Sequence, residues 1–324
     1  MKKQTKIMLL AIGITVIELI LKVKIGISKN NNIELIVINS VIFIITNFFV
    51  YRISQSLFKS SVCTLLTIAF NGFAIVSLES FLNNSVYELS NLILVTIIYC
   101  HIKIWRRKFE IKYLVFIFIL LTCGEIISRY FFACIIAMNI VYTIKMVKNK
   151  RYSNLIKYQI LTITSIIIGF AVNYLTLKNN IMFNLENIHI VNNMLNYFNF
   201  LNKGFFNSLL LPVIIIYLLF IRRKSNKTTK NSAGFLLLST VLIYSCVLVI
   251  FMPKIEFIYI IPIYSTTVIS IIYIFKIYLF KFFKRNEAFF LIVITFAVIL
   301  YSPLVQGVTL QPKDASKLII ENKF

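Results

Sequence analysis

Aspartate is almost missing from this chain of 324 residues: Asp314 is the only one, and the eleven carboxylates face 34 lysines and arginines. Histidine is nearly as scarce, with His101 and His189 far apart in sequence. No HExxH, no glycine-rich phosphate loop ending in GK[ST] and no GxSxG occurs, so zinc-peptidase, P-loop and serine-hydrolase chemistry all lack their ligands or nucleophile. ATP-driven transport by this chain alone is therefore not expected, and neither a metal nor a cofactor is implied. The five cysteines (Cys63, Cys100, Cys123, Cys134, Cys246) are single and form no CxxC pair; they read as small buried hydrophobes. Alanine and glycine are few beside Ile, Asn and Lys, a bias that fits an AT-rich bacterial genome. No long polar segment remains that could fold as a separate domain.

What the chain has instead is apolar length. Hydrophobic residues make up 59% of it and the mean hydropathy is +0.88. A bilayer core of about 30 Å takes about 20 apolar residues in a helix. Runs of this kind lie near 7–25, 33–51, 61–81, 86–102, 112–127, 129–146, 158–177, 205–221, 233–252, 257–275 and 288–304. The expected fold is thus all-α and polytopic, with about eleven spans in one domain over residues 1–304 and a short tail over 305–324. The first run, "MKKQTKIMLLAIGITVIELI", has no small-residue cleavage site and is followed by further spans, so it reads as a retained helix.

A net charge of +23 raises the question of a nucleic-acid partner. Sorting the basic residues by loop removes the need for one. Alternate loops hold 24 of the 34, from Lys2, Lys3 and Lys6 through Arg52, Lys59, Arg106, Arg151 and Arg222 to Lys284 and Arg285, against only Glu110 and Glu287. By the positive-inside rule these loops are cytoplasmic. The N-terminus is then inside, the tail outside, and the expected location is the bacterial plasma membrane.

The same sorting bears on "CGEIISRYFF" (123–132), which places a Glu and an Arg inside an apolar stretch of 36 residues. Lys112 and Lys145 both belong to basic loops, and one helix of that length would measure about 54 Å. The stretch is expected to be a hairpin of two short helices with "GEIISR" as its outer tip, Gly124 in the turn, and Glu125 and Arg129 at the water boundary. In the largest outer segment, 178–204, apolar residues from Ile181 to Phe198 recur at helical spacing among asparagines. That pattern predicts an amphipathic helix lying in the outer interface.

The remaining carboxylates fall mostly on the outer side. Glu79, Glu88, Glu186 and Glu256 read as solvated turn residues when taken singly. Glu18, on the outer half of the first helix, needs a partner, because an ionisable group inside the membrane is costly alone. Tyr99, Trp105 and Tyr113 read as interfacial anchors.

Four short motifs carry a family resemblance: "YRISQSLF" (51–58), "SVY" (85–87), "IISRYFF" (126–132) and "FIYIIPIY" (257–264). Their order and spacing over roughly residues 35–280 resemble the bacterial multi-spanning C-type glycosyltransferases of the dolichyl-phosphate-mannose mannosyltransferase-like superfamily. The resemblance implies transfer of a sugar from a polyprenyl-phosphate carrier on the outer face, with an acidic base in the first outer loop. In this chain that loop is short, "KVKIGISKNNNIE" (22–34), and its only carboxylate is Glu34. Two further motif positions differ: Ser85 stands where an Arg is usual, and Arg129 where a His is.

An acceptor hydroxyl needs a base, and Glu34, Glu88 and Glu125 are the candidates. By the same resemblance Tyr87, Arg129 and Tyr130 would line the carrier phosphate, with Arg129 as its counter-charge. The alternative is a non-enzymatic transporter, flippase or assembly subunit of a cell-envelope polysaccharide pathway, working with other envelope-synthesis proteins. One outer cavity ringed by Glu34, Tyr87, Glu88 and Arg129 would favour the enzyme. A buried polar path along helix faces would favour the alternative.

Overall fold

The structure, a computed structural model, describes residues 2–29, 32–82, 85–106, 111–128, 131–177, 190–204, 233–252 and 257–282. Within them the chain is helical, with no strand. In order come α1 (Lys2–Lys29), α2 (Ile33–Phe58), α3 (Ser61–Phe73), α4 (Ile75–Leu82), α5 (Ser85–Arg106) and α6 (Ile111–Ile127). They are followed by α7 (Phe131–Lys148), α8 (Tyr152–Leu177), α9 (Ile190–Gly204), α10 (Ala233–Phe251), a 3-10 turn (Phe257–Ile263) and α11 (Tyr264–Phe282).

Among the described residues five helices are long and apolar enough to cross a membrane, or six if the bent pair α3–α4 is one span. The five are α2, α5, α7, α8 and the 3-10 turn with α11. The difference from eleven expected spans has identifiable sources. In α1 the core of the helix carries Glu18, Lys22 and Lys24. Helix α6 has only 17 residues. The expected spans at 205–221 and 288–304, and the tail, lie outside the described residues.

Around a largely apolar core, big apolar side chains also face outward while several charged and polar ones are enclosed. Leu9, Ile20, Val37, Phe48, Ile160 and Ile167 are exposed, whereas Glu18, Lys22, Asn47, Asn71, Glu88 and His101 are fully or almost fully buried. Outward apolar faces of this extent match contact with lipid. Helix α5 runs through the middle, packed by α2, α6 and the 3-10 turn, and more lightly by α10 and α11. Helix α1 lies outside it, on α2, α3 and α4.

Two expectations about single elements are corrected. The run 61–81 is not one straight helix. It breaks at Ala74, whose backbone is extended (φ −64°, ψ 142°), and α3 and α4 meet at 50°. The Ala74 carbonyl then starts α4 by accepting from Ser77 N at 3.0 Å and Leu78 N at 3.2 Å. No proline causes the break. Asn71 and Gly72, both weak helix formers, precede it, and both ends are held by side chains of α1 and α2.

The second correction concerns the hairpin. Helix α6 continues through Gly124 to Ile127, so the turn does not sit at that glycine. Gly124 serves packing: a Cβ there would overlap the Phe131 ring of α7.

The turn between α2 and α3 is tight. Lys59 closes α2 in the left-handed region (φ 52°), and the Ser60 side chain accepts from Cys63 N at 3.4 Å to open α3. The Lys276 ammonium of α11 donates to the Phe58 carbonyl at the same end of α2. The motif "YRISQSLF" is thus the last two turns of α2, and the turn proper is Lys59–Ser60.

A buried charge cluster at a broken helix as candidate functional site

Helix α1 turns its charges inward. Ala11, Glu18, Lys22 and Ile25 are buried at three- and four-residue spacing, while Val16, Ile17, Ile20 and Ile27 face outward. Glu18 and Lys22 are therefore one turn apart on the face that meets α2, α3 and α4, and both have 0% exposure.

Two hydrogen-bonded arms leave this face. In the first, Asn47 of α2 donates through Nδ2 to Glu18 Oε2 at 3.2 Å and to Thr15 Oγ1 at 3.3 Å. Its own Oδ1 accepts from Asn71 Nδ2 of α3 at 2.8 Å. The Glu18 carboxyl rests on Gly72, where a Cβ would overlap it. Glu18 Oε1 and Asn71 Oδ1 are buried with no hydrogen-bond partner.

The second arm starts at Lys22. Its Nζ donates to Ser77 Oγ at 2.5 Å and to the Ser77 carbonyl at 3.1 Å, and it lies 3.7 Å from the centroid of the Phe43 ring. The Ser77 hydroxyl donates to Tyr264 OH at 3.3 Å, and Tyr264 donates to Glu88 Oε1, also at 3.3 Å. The Ser80 hydroxyl donates to the other oxygen, Glu88 Oε2. One turn further along α5, Asn91 donates to Ser265 Oγ at 2.9 Å. The short helix α4, set off by the break, thus supplies Ser77 and Ser80 to a chain that joins α1, α5 and α11.

Lys22 is within electrostatic range of both Glu18 and Glu88. With all three ionised the cluster carries one uncompensated negative charge in an apolar surrounding. A lone buried charge of this kind attracts a proton, a cation or a donor.

A groove of about 270 Å³ between α1 and α2 leads toward the first arm. Its walls include Met8, Ile12 and Phe48, and its polar lining includes Thr15, Asn47, Tyr51 and Arg52. A second cavity, about 330 Å³, is lined by α9, α10 and α11, with Tyr197, Val241, Cys246, Thr267 and Ile271 among its residues. Other buried polar groups tie helices together. His101 Nε2 and Tyr158 OH are 2.9 Å apart, beside Tyr142. Asn139, Thr143, Gln159 and Thr162 bond across α7 and α8.

The residues singled out in sequence scatter. Glu34 is exposed in the first turn of α2 and takes no part in either arm. Tyr87 is half-buried in the first turn of α5. Glu88 is not a solvated turn residue but a fully buried acceptor at the end of the second arm, and Glu79 is also buried. Glu125 is not at a water boundary: it is 1% exposed and packs on Gly169 of α8. Arg129, Tyr130, Glu186 and Glu256 lie outside the described residues.

In the segment 178–204 a helix is described from Ile190. Its Asn193, Tyr197 and Leu201 face is buried, with Asn193 donating to the Met252 carbonyl at 2.6 Å and Tyr197 OH accepting from Ser245 at 2.8 Å. Cys63, Cys100 and Cys134 are buried as expected, whereas Cys123 and Cys246 are exposed.

Glu18 was legible as a group in need of a partner, but Lys22, Asn47, Asn71, Ser77 and Tyr264 were not singled out. The available signal was the four-residue spacing of Glu18 and Lys22 on an otherwise apolar helix. Among the described residues no group of three or more His, Cys, Asp or Glu side chains is placed to hold a metal ion. No protein-family model, no curated protein and no solved structure matches this chain.

Proposed function

We propose that this chain is a membrane transport protein of the transporter or flippase class, and that the Glu18–Lys22–Glu88 cluster is where it handles charge. One observation carries the reading: two carboxylates and a lysine, all fully buried, meet at the break between the apolar helices α3 and α4. Ionisable groups at such depth are costly and mark substrate or ion pathways, and discontinuous helices recur at the binding sites of transporters. The groove between α1 and α2, with Arg52 and Asn47 in its lining, supports an amphipathic substrate that enters from the lipid. The setting is a bacterial plasma membrane, with eleven spans, the N-terminus inside and the tail outside. A membrane lipid or polyprenyl-phosphate carrier and other envelope proteins are its partners.

The test is translocation in proteoliposomes of phosphatidylethanolamine and phosphatidylglycerol. Fluorescent NBD-phosphatidylglycerol in the inner leaflet should become accessible to external dithionite faster than in protein-free vesicles, and Glu18→Gln should slow it. Equal rates with and without protein would count against the flippase form of the reading.

A second reading, the polyprenyl-phosphate glycosyltransferase, is favoured by one contact. The motif regions 85–87 and 257–264 meet, since Glu88, next to the first, accepts from Tyr264 in the second. In that reading Glu88 is the base and Arg129 holds the carrier phosphate. Arg129→Gln should then abolish sugar transfer from a polyprenyl-phosphate donor and Arg129→Lys should restore part of it, because lysine keeps the charge but loses the planar fork. Full transfer by Arg129→Gln would remove Arg129 from the site.

A further inference from the structure

We propose that Glu18 and Asn71, at the C-terminal end of α3, form a binding site for an alkali-metal cation. The inference rests on the transport reading and names the ion that would be coupled to it.

Hydrogen-bond orientation carries the first step. Asn47 spends its NH₂ group on Glu18 and Thr15 and its oxygen on Asn71, so the Asn71 amide nitrogen is committed to Asn47. That leaves the Asn71 oxygen, and the second Glu18 oxygen, as buried acceptors without donors. Orphaned buried acceptors are rare and call for an explanation such as a bound ion.

Three further features select a singly charged hard cation. Glu18, Lys22 and Glu88 sum to one negative charge, and Lys22 is already engaged with Ser77. Helix α3 ends at Phe73, so its negative dipole end lies beside Asn71 and Gly72. Because Gly72 has no side chain, the Glu18 carboxyl rests directly on the backbone there. The ligands are oxygens, which excludes a preference for soft metals. A single carboxylate with an ammonium nearby falls short of the multiple charged oxygens that calcium sites use. The half-helix end beside an acidic side chain is the arrangement in which transporters hold sodium.

The test uses the purified full chain in detergent. Its thermal midpoint is measured in sodium chloride, potassium chloride and choline chloride at equal ionic strength, and ²²Na⁺ binding is measured by scintillation proximity. The expected result is a saturable rise of the midpoint with sodium or potassium over choline, since a ligand of the folded state stabilises it by mass action. Displaceable ²²Na⁺ should bind to the wild type, with at least tenfold weaker binding in Asn71→Ser and none in Glu18→Gln. Identical midpoints in the three salts with no displaceable ²²Na⁺ would overturn the site. So would a stabilisation that follows pH alone, which assigns the extra charge to a proton on Glu18. The wild-type measurements stand even if a variant fails to fold. Sodium binding without lipid translocation would instead sink the flippase form of the transport reading and leave the site.

Discussion

Replacing Lys22 by Met isolates the charge of the second arm from its bulk. Methionine fills most of the space of the lysine stem, so the change removes the ammonium without opening a large cavity. That ammonium has no exposure, donates twice to Ser77 and lies over the Phe43 ring. Breaking a buried ionic set by deleting one member costs about 3–5 kcal/mol, because the remaining charges lose their compensation.

Glu88→Gln should cost less, about 1–3 kcal/mol, since Gln still offers an oxygen to Tyr264 or Ser80. The double variant should fall short of the sum by about 1–3 kcal/mol, because without the lysine there is less to lose at Glu88. The assay is sodium dodecyl sulfate titration in mixed micelles, followed by far-UV circular dichroism, as a double-mutant cycle. Strict additivity, or a Lys22→Met variant within about 0.5 kcal/mol of wild type, would refute the idea that Lys22 holds the carboxylates in place.

Three further outcomes are expected. Gly72→Ala forces a methyl group into the Glu18 carboxyl and should cost about 1–3 kcal/mol in the same titration, whereas Gly13→Ala, which meets nothing within 4 Å, should not destabilise. Asn39→Leu removes the 2.7 Å bond from α2 to the Phe81 carbonyl and should loosen the end of α4, read as faster hydrogen exchange over residues 75–82 with α8 unchanged. Single cysteines at Lys227 and Ser316 in a cysteine-free background should label oppositely with a membrane-impermeant thiol reagent, Ser316 in intact cells and Lys227 only after lysis; labelling of Lys227 in intact cells would reverse the proposed orientation.

The helical class and the five apolar helices long enough to span were legible because apolar length in helices is a local property, written residue by residue. The connection between α2 and α3 was legible only as a gap between the apolar runs 33–51 and 61–81, since α2 continues through "YRISQSLF" to Phe58 and the turn is confined to Lys59–Ser60. The break at Ala74 was not legible. Nothing in "AFNGFAIVSL" forbids a continuous helix, and the bend depends on Asn47 and Lys22 from other helices. Nor was the burial of Glu125, because a carboxylate next to a helix end reads as exposed until the partner helix is known to present Gly169. The cluster itself is non-local. Glu18, Asn71, Glu88 and Tyr264 come from four elements, and only packing links them.

The inward charges of α1 also set a condition on how the chain is made. Glu88 lies 66 positions after Lys22, and Tyr264 comes later still. At about 5–20 residues per second, the ribosome needs several seconds to deliver α4 and α5 after α1 has emerged. During that interval α1 carries Glu18 and Lys22 without Ser77, Ser80 or Glu88. Each charge near the middle of a lone helix disfavours insertion by about 2.5–3.5 kcal/mol. In a membrane, α1 alone would therefore be a poor free-standing span, and its charges are enclosed only once α4 and α5 are in place.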